Sequence, residues 1–336
     1  MDIQQIKQTL LTSEYSFLRN NNILKNRTIL LTTGGSHSYG TDIETSDLDI
    51  RGVCLESPEN IIGLSNFEQY QHHTSDTTVY GLKKFMRLCL NANPNVIEIL
   101  GTKDEHLFVC TEFGKILRDN IDMFISQKVV NSFTGYAFTQ LRRLQNALAR
   151  DSYPHEKKEQ HILNSIQHSM LSLKEKYQTI TNGFIKTYID KSQKEEYDTE
   201  IFLDIELKNY PLRDFKNIYS DMHNIVKDYG KINHRNNKKD EPHLLKHSQH
   251  LVRLYLMGTE ILEGKGVNTY REKDKELLLS IRKGEYSYEE IFEIAKGLEN
   301  KFQYAIKNTS LPMNPDYNKT EEILMGIYKK YLLEVK

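Results

Sequence analysis

The strongest constraint in this chain is a strand-to-turn junction near its start. Thr28-Ile29-Leu30-Leu31-Thr32 is a short, apolar, β-branched run, the pattern of a buried strand. It ends in Gly34-Gly35-Ser36. A tight glycine turn after a buried strand leaves backbone N–H groups free to face an anion, and a helix starting there points its positive end the same way. Gly35 and the hydroxyl donors of Ser36 and Ser38 therefore read as a phosphate cradle at the end of a sheet strand.

Asp47 to Leu55 then alternates, with Leu48, Ile50 and Val53 interleaved by Asp49 and Arg51. This predicts a second strand, with Asp47 and Asp49 on one face. Neighbouring carboxylates repel unless a cation lies between them. Oxygen ligands of this kind suit Mg²⁺ or Mn²⁺. A phosphate cradle followed by such a pair describes a site for a metal-bound nucleoside triphosphate. Two metals roughly 3.5–4 Å apart would activate the attacking oxygen and stabilise the leaving pyrophosphate. Arg51 has two readings, a phosphate contact or a counter-charge to the aspartates. His37 also has two, a pocket lining or a polar turn residue.

The rest of the chain divides in two. Phe67–Gln71 and Thr77–Leu82 are expected strands, and Ile3–Leu18 an amphipathic helix. From Gly81 the period turns helical until Asn93-Pro94, and Val96 to Leu100 starts a further short element. Beyond residue 110 the pattern is helical over 112–121, 126–150, 156–182, 244–264, 286–308 and 320–334, with a polar exposed loop over 227–243. The expectation is an α+β chain. A small mixed β-sheet with flanking helices occupies 1–120, and a larger all-helical domain occupies 121–336.

Charge and composition exclude several classes. Lys and Arg number 45 against 46 Asp and Glu, a net of −1, which argues against a basic nucleic-acid coat. The total hides an asymmetry: residues 1–123 hold 11 basic and 16 acidic side chains, leaving 34 and 30 for the remainder. No apolar run approaches the ~18–20 residues of a membrane span, and the first residues lack a signal-peptide core. Cys54, Cys89 and Cys110 form no CxxC pair, so neither a disulfide framework nor a zinc site is indicated and a cytoplasmic setting is expected.

The whole block Gly35-Ser36-His37-Ser38-Tyr39-Gly40-Thr41 … Ser46-Asp47-Leu48-Asp49-Ile50-Arg51-Gly52-Val53 resembles the DNA polymerase β-like nucleotidyltransferase superfamily. Within it, the block is similar to the RNA-ligase-associated predicted nucleotidyltransferases. The resemblance implies a polymerase β-like catalytic domain, an NTP co-substrate and a third metal-binding carboxylate on a later strand. Asp76 matches that position, ahead of a β-forming run; Glu68 and Glu98 are its rivals. It also implies that Tyr39, Ser46 and Arg51 belong to the nucleotide site with Gly35, Ser36 and Ser38.

Far along the chain, Lys246, His250 and Arg253 are spaced to share one helical face, with Leu251, Leu254 and Leu256 turned elsewhere. Such a basic stripe suits β- and γ-phosphates, and it too resembles the family's C-terminal helical part. The activity implied is transfer of a nucleoside monophosphate from an NTP to an acceptor hydroxyl, with release of pyrophosphate. The subgroup's name points to an RNA end as acceptor. Nucleotidylation of a protein or small molecule, or a catalytically silent nucleotide-binding module, are the other readings. No membrane partner is expected.

Overall fold

The computed structural model describes residues 1–152, 183–191, 199–213, 215–216, 219–220, 223 and 241–334. The predicted apolar run is β1 (Thr28–Thr33), buried throughout after its first residue. Helices α1 (Ile3–Leu11) and α2 (Phe17–Asn20) precede it, and α3 (Gly35–Tyr39) follows at once. Next come β2 (Ile50–Cys54), α4 (Pro58–Ile62), β3 (Gln69–His72) and β4 (Thr77–Gly81). Then follow α5 (Leu82–Leu90), α6 (Pro94–Ile97), β5 (Leu107–Cys110) and α7 (Glu112–Asp119). The single helix expected over 3–18 stops at Leu11. Thr12 turns extended there, and its hydroxyl donates to the Thr9 carbonyl at 2.7 Å, a local bond that competes with helix continuation.

The five strands are ordered β3-β4-β2-β1-β5. β1 runs antiparallel to β2 and to β5, β3 antiparallel to β4, and β2 parallel to β4. Register decides where function can sit. Thr33 at the end of β1 pairs with Ile50 at the start of β2, and Ile50 pairs with Thr77 at the start of β4. One rim of the sheet therefore collects the residues just outside these three strands: Gly34, Asp49 and Asp76. One core cluster joins the sheet to α1 through Ile6 and Leu10 with Leu31, Ile50 and Val79. Each such fully buried side chain contributes on the order of 1.5–3 kcal/mol.

The helical C-terminal region comprises α8 (Lys128–Ser152), α9 (Glu241–Leu262), α10 (Lys275–Lys283), α11 (Tyr288–Asn308) and α12 (Tyr317–Glu334). Val252, Leu278, Ile281 and Ile291 form one core cluster there. α12 is fastened to the sheet side of the molecule by Tyr328, whose hydroxyl donates to the buried Glu56 carboxylate at 2.6 Å. A hairpin that the sequence reading lacked interrupts this helical region: β6 (Gly183–Lys191) pairs antiparallel with β7 (Thr199–Leu207). The helix expected over 156–182 and residues 227–240 of the expected loop lie outside the described residues. The chain forms two compact units, Met1–Arg143 with Leu245–Lys336, and Leu144–Leu244. The boundary expected at 120/121 lies within the first of these. Among the described residues no helix is long and apolar enough to cross a membrane.

Candidate active site

The site is built on the sheet rim. The Gly34 N–H donates to the Asp49 carbonyl at 2.8 Å, and the Ile50 N–H to the Asp76 carbonyl at 3.3 Å, so the ladder extends one step past each strand. Gly35 adopts φ +57°, the left-handed region, and a Cβ there would collide with the Asp49 carboxylate. Only glycine lets the turn approach the carboxylate so closely. The turn opens α3, whose first N–H groups have no partner inside the helix. Asp76 is also left-handed, at φ +39°, a conformation aspartate tolerates better than most residues and one that clusters at functional sites.

Arg51 ties the rim together. Its Nη2 donates to Asp49 Oδ1 at 3.1 Å and to Asp76 Oδ1 at 3.3 Å, while Nη1 donates to the Ile50 and Asp76 carbonyls. These contacts supply the counter-charge that is one of its two expected roles. Burial pushes the Asp49 carboxyl up to about 7, helped by its hydrogen bond with Asp76 and opposed by Arg51. The more exposed Asp76 moves the opposite way, held down first by the hydrogen bond from Asp49. The pair thus holds one proton between two carboxyls near neutrality. The Lys246 ammonium is close enough to favour the ionised form of both. Two oxygen donors that already gather two cationic side chains fit a hard divalent cation. Among the described residues no group of three or more His, Cys, Asp or Glu is assembled closely enough to hold a metal.

The aspartates are not arranged as their spacing predicts. Asp47 and Asp49 both precede β2 rather than lying on it, so the i, i+2 same-face rule does not apply to them. Asp47 is exposed and Asp49 half-buried. Asp76 is the carboxylate brought to Asp49. Of its rivals, Glu68 is exposed and pairs with Lys84 at 2.7 Å, and Glu98 is buried just after α6. Ser36 is half-buried at the start of α3, whereas the Ser38 hydroxyl donates back to the Gly35 carbonyl at 2.8 Å. Ser46 accepts from the Ile43 N–H at 2.9 Å, closing the loop that leads to Asp47. His37 is a buried residue of α3, its Nδ1 3.4 Å from Asp42 and its Nε2 without a partner; burial lowers its pKa.

The basic stripe on α9 is split by burial. Lys246 is exposed, His250 half-buried and Arg253 1% exposed. Arg253 donates from Nη1 to Glu98 Oε2 at 3.0 Å and from Nη2 to His250 Nδ1 at 2.8 Å. Its guanidinium lies 3.8 Å over the ring of Tyr39, whose hydroxyl donates to the other Glu98 oxygen at 2.7 Å. Sequence reasoning missed this link, because Glu98 and Arg253 stand 155 positions apart. The one available signal was a carboxylate, Glu98, in an otherwise apolar run, Val96-Ile97-Glu98-Ile99-Leu100, where a buried charge requires a partner.

A family model described as the RNA repair pathway DNA polymerase beta family matches residues 4–178, just over half of the chain. A solved structure, a nucleotidyltransferase-like protein from Exiguobacterium sibiricum, aligns over 89% of this chain and 75% of its own, at 11% identity and a TM-score of 0.25. That likeness is too remote to carry an argument. No curated protein matches the sequence.

Proposed function

The chain belongs to the RNA repair pathway DNA polymerase beta family, and from that premise we propose that it is a metal-dependent nucleotidyltransferase that moves a nucleoside monophosphate from an NTP to a hydroxyl on an RNA end. The observation that carries this reading is the close packing of the Gly34-Gly35 turn on Asp49, the carboxylate partnered by Asp76, which supports a phosphate cradle beside a cation-seeking carboxylate pair. Gly35, Ser36 and the opening N–H groups of α3 would hold the triphosphate, with Ser38, Tyr39 and Ser46 shaping the turn around it. Asp49 and Asp76, with Asp47 from the adjoining loop, would hold Mg²⁺ or Mn²⁺. The metal supplies charge neutralisation at the leaving pyrophosphate and a lower pKa for the acceptor hydroxyl. Arg51 and Lys246 lie beside the same carboxylates and would balance charge as the triphosphate enters.

The family's description as an RNA repair pathway family supports RNA as the acceptor. So does the excess of basic side chains in the C-terminal part of the sequence, because polynucleotide binding draws on phosphate neutralisation. The test is incubation of the full chain with Mg²⁺, each of the four α-labelled NTPs, and RNA bearing free 3′-hydroxyls. The expected result is labelled RNA and pyrophosphate, with RNA binding that weakens steeply with salt. Labelled protein or small molecule with unlabelled RNA would move the acceptor elsewhere. No adduct and no pyrophosphate with any acceptor would contradict the enzymatic reading.

A further inference from the structure

The buried Arg253 has five N–H donors and no acceptor. Its Nη2 lies 2.8 Å from His250 Nδ1, so that nitrogen can only accept. The proton of a neutral His250 must then sit on Nε2, because the bond made by one ring nitrogen fixes the state of the other. Arg253 is itself held: Glu98 Oε2 fixes Nη1 at 3.0 Å, Met257 Sδ lies 3.0 Å from the same nitrogen, and the Tyr39 ring covers the guanidinium face. Tyr39 belongs to α3, the helix that opens the phosphate turn. His250 lies one turn after Lys246 on α9, and the Lys246 charge favours the ionised form of Asp49 and Asp76. Burial above all, and then Arg253, His247 and Lys246 of its own helix and Arg143 of α8, disfavour a charged His250 ring.

We propose that Glu98 and Arg253 form a buried positioning pair that locks His250 as a neutral Nε2–H donor to the triphosphate, so that Arg253 acts through His250 and does not touch the nucleotide. The proposal rests on the nucleotide reading above and assigns different roles to two residues that their spacing alone would treat alike. An arginine 1% exposed, with its face stacked on Tyr39 and its terminal nitrogens held by Glu98, Met257 and His250, is shielded from a phosphate. The half-buried imidazole of His250, protonated on Nε2 and one helical turn from Lys246, can offer a donor there.

The experiment uses the full chain labelled with ¹⁵N-histidine, with the His250 signals assigned through His250→Gln. Long-range ¹H–¹⁵N spectra should show a protonated Nε2 and an unprotonated Nδ1. The Nε2 signal should move when Mg²⁺ and the non-hydrolysable α,β-methylene ATP are added. Calorimetry with the same analogue should show about tenfold weaker binding for His250→Phe, the loss of one hydrogen bond to a charged group. His250→Gln, which keeps an N–H donor, should lose less than about threefold on the same reasoning. Arg253→Met should weaken binding about as much as His250→Phe, and the double variant should be no worse than either, since the two act in series. A ring protonated on Nδ1, an Nε2 signal unmoved by an analogue that binds, or multiplying losses in the double variant would overturn the proposal. If Arg253→Met fails to fold, the wild-type spectra and the His250 variants decide alone. An analogue that does not bind the wild type overturns the nucleotide reading itself, a failure separate from an incorrect tautomer.

Discussion

Two arginine–carboxylate clusters in the same compact unit show what burial does to the same chemistry. At the sheet rim, Arg51 bridges Asp49 and Asp76 with side-chain exposures of 22%, 16% and 61%. Beside α9, Arg253 meets Glu98 with exposures of 2% and 8%. The rim cluster carries an excess of acid, shares one proton and opens to solvent, so its charges can be rearranged by an incoming cation. In the buried cluster both Glu98 oxygens accept, from Tyr39 and Arg253, and Arg253 also donates to His250, and breaking a buried pair by removing one partner is costly. The first is therefore suited to binding and the second to holding binding residues in place.

The largest effect should come from the rim. Asp49→Asn or Asp76→Asn should lower nucleotidyl transfer by about a thousandfold or more, because several kcal/mol of charge stabilisation at the metal disappears. Single-turnover assays check this, and near-wild-type rates in both variants would break the comparison. Gly35→Ala comes next, since its methyl group meets the Asp49 carboxylate in a left-handed backbone. A loss of transfer with an intact fold by circular dichroism is expected.

In the buried cluster the effect should fall on stability. Glu98→Ala leaves the Arg253 charge without its carboxylate and should cost about 3–5 kcal/mol in urea denaturation. Tyr39→Phe removes one neutral-to-charged hydrogen bond and should cost about 1.5–3 kcal/mol. Asp49→Asn should do the reverse. Folding raises the Asp49 pKa to about 7, so the folded state binds more protons than the unfolded state between the ordinary carboxylate value and that point. In metal-free protein this contribution to stability is present at low pH and lost as pH rises through about 7. An asparagine mimics the protonated form, so at pH 8 the variant should melt a few degrees above the wild type. Equal melting temperatures at pH 8 would remove the strain from the rim.

Much of the rim was legible in the sequence, because β1, the glycine turn and the β4 run are local patterns. Gly35 and Asp49 could be linked in advance by their residue types. Their contact depends on a register that places three chain segments on one rim, and Asp76 joins only through the parallel pairing of β2 with β4. The alternation after Asp47 predicts a strand three residues too early, since the loop closed by Ser46 delivers Asp49 to the ladder only at its last step. The hairpin at 183–207 did leave a trace in Ile185-x-Thr187-x-Ile189 and Ile201-x-Leu203-x-Ile205, a period-two signal lost amid helical neighbours. The spacing on α9 puts Lys246, His250 and Arg253 in one stripe but says nothing of their depth, since a side chain's burial is set by partners that helical spacing cannot name.

The most direct measurement is Mn²⁺ binding, followed by electron paramagnetic resonance, in the presence of α,β-methylene ATP. The wild type should bind the Mn²⁺–nucleotide complex, with affinity falling as pH drops below about 7 as Asp49 takes up its proton. The Asp49→Asn, Asp76→Asn double variant should lose that binding while remaining folded. Unchanged Mn²⁺–nucleotide binding in the double variant would contradict the assignment of the sheet rim as the metal–triphosphate site.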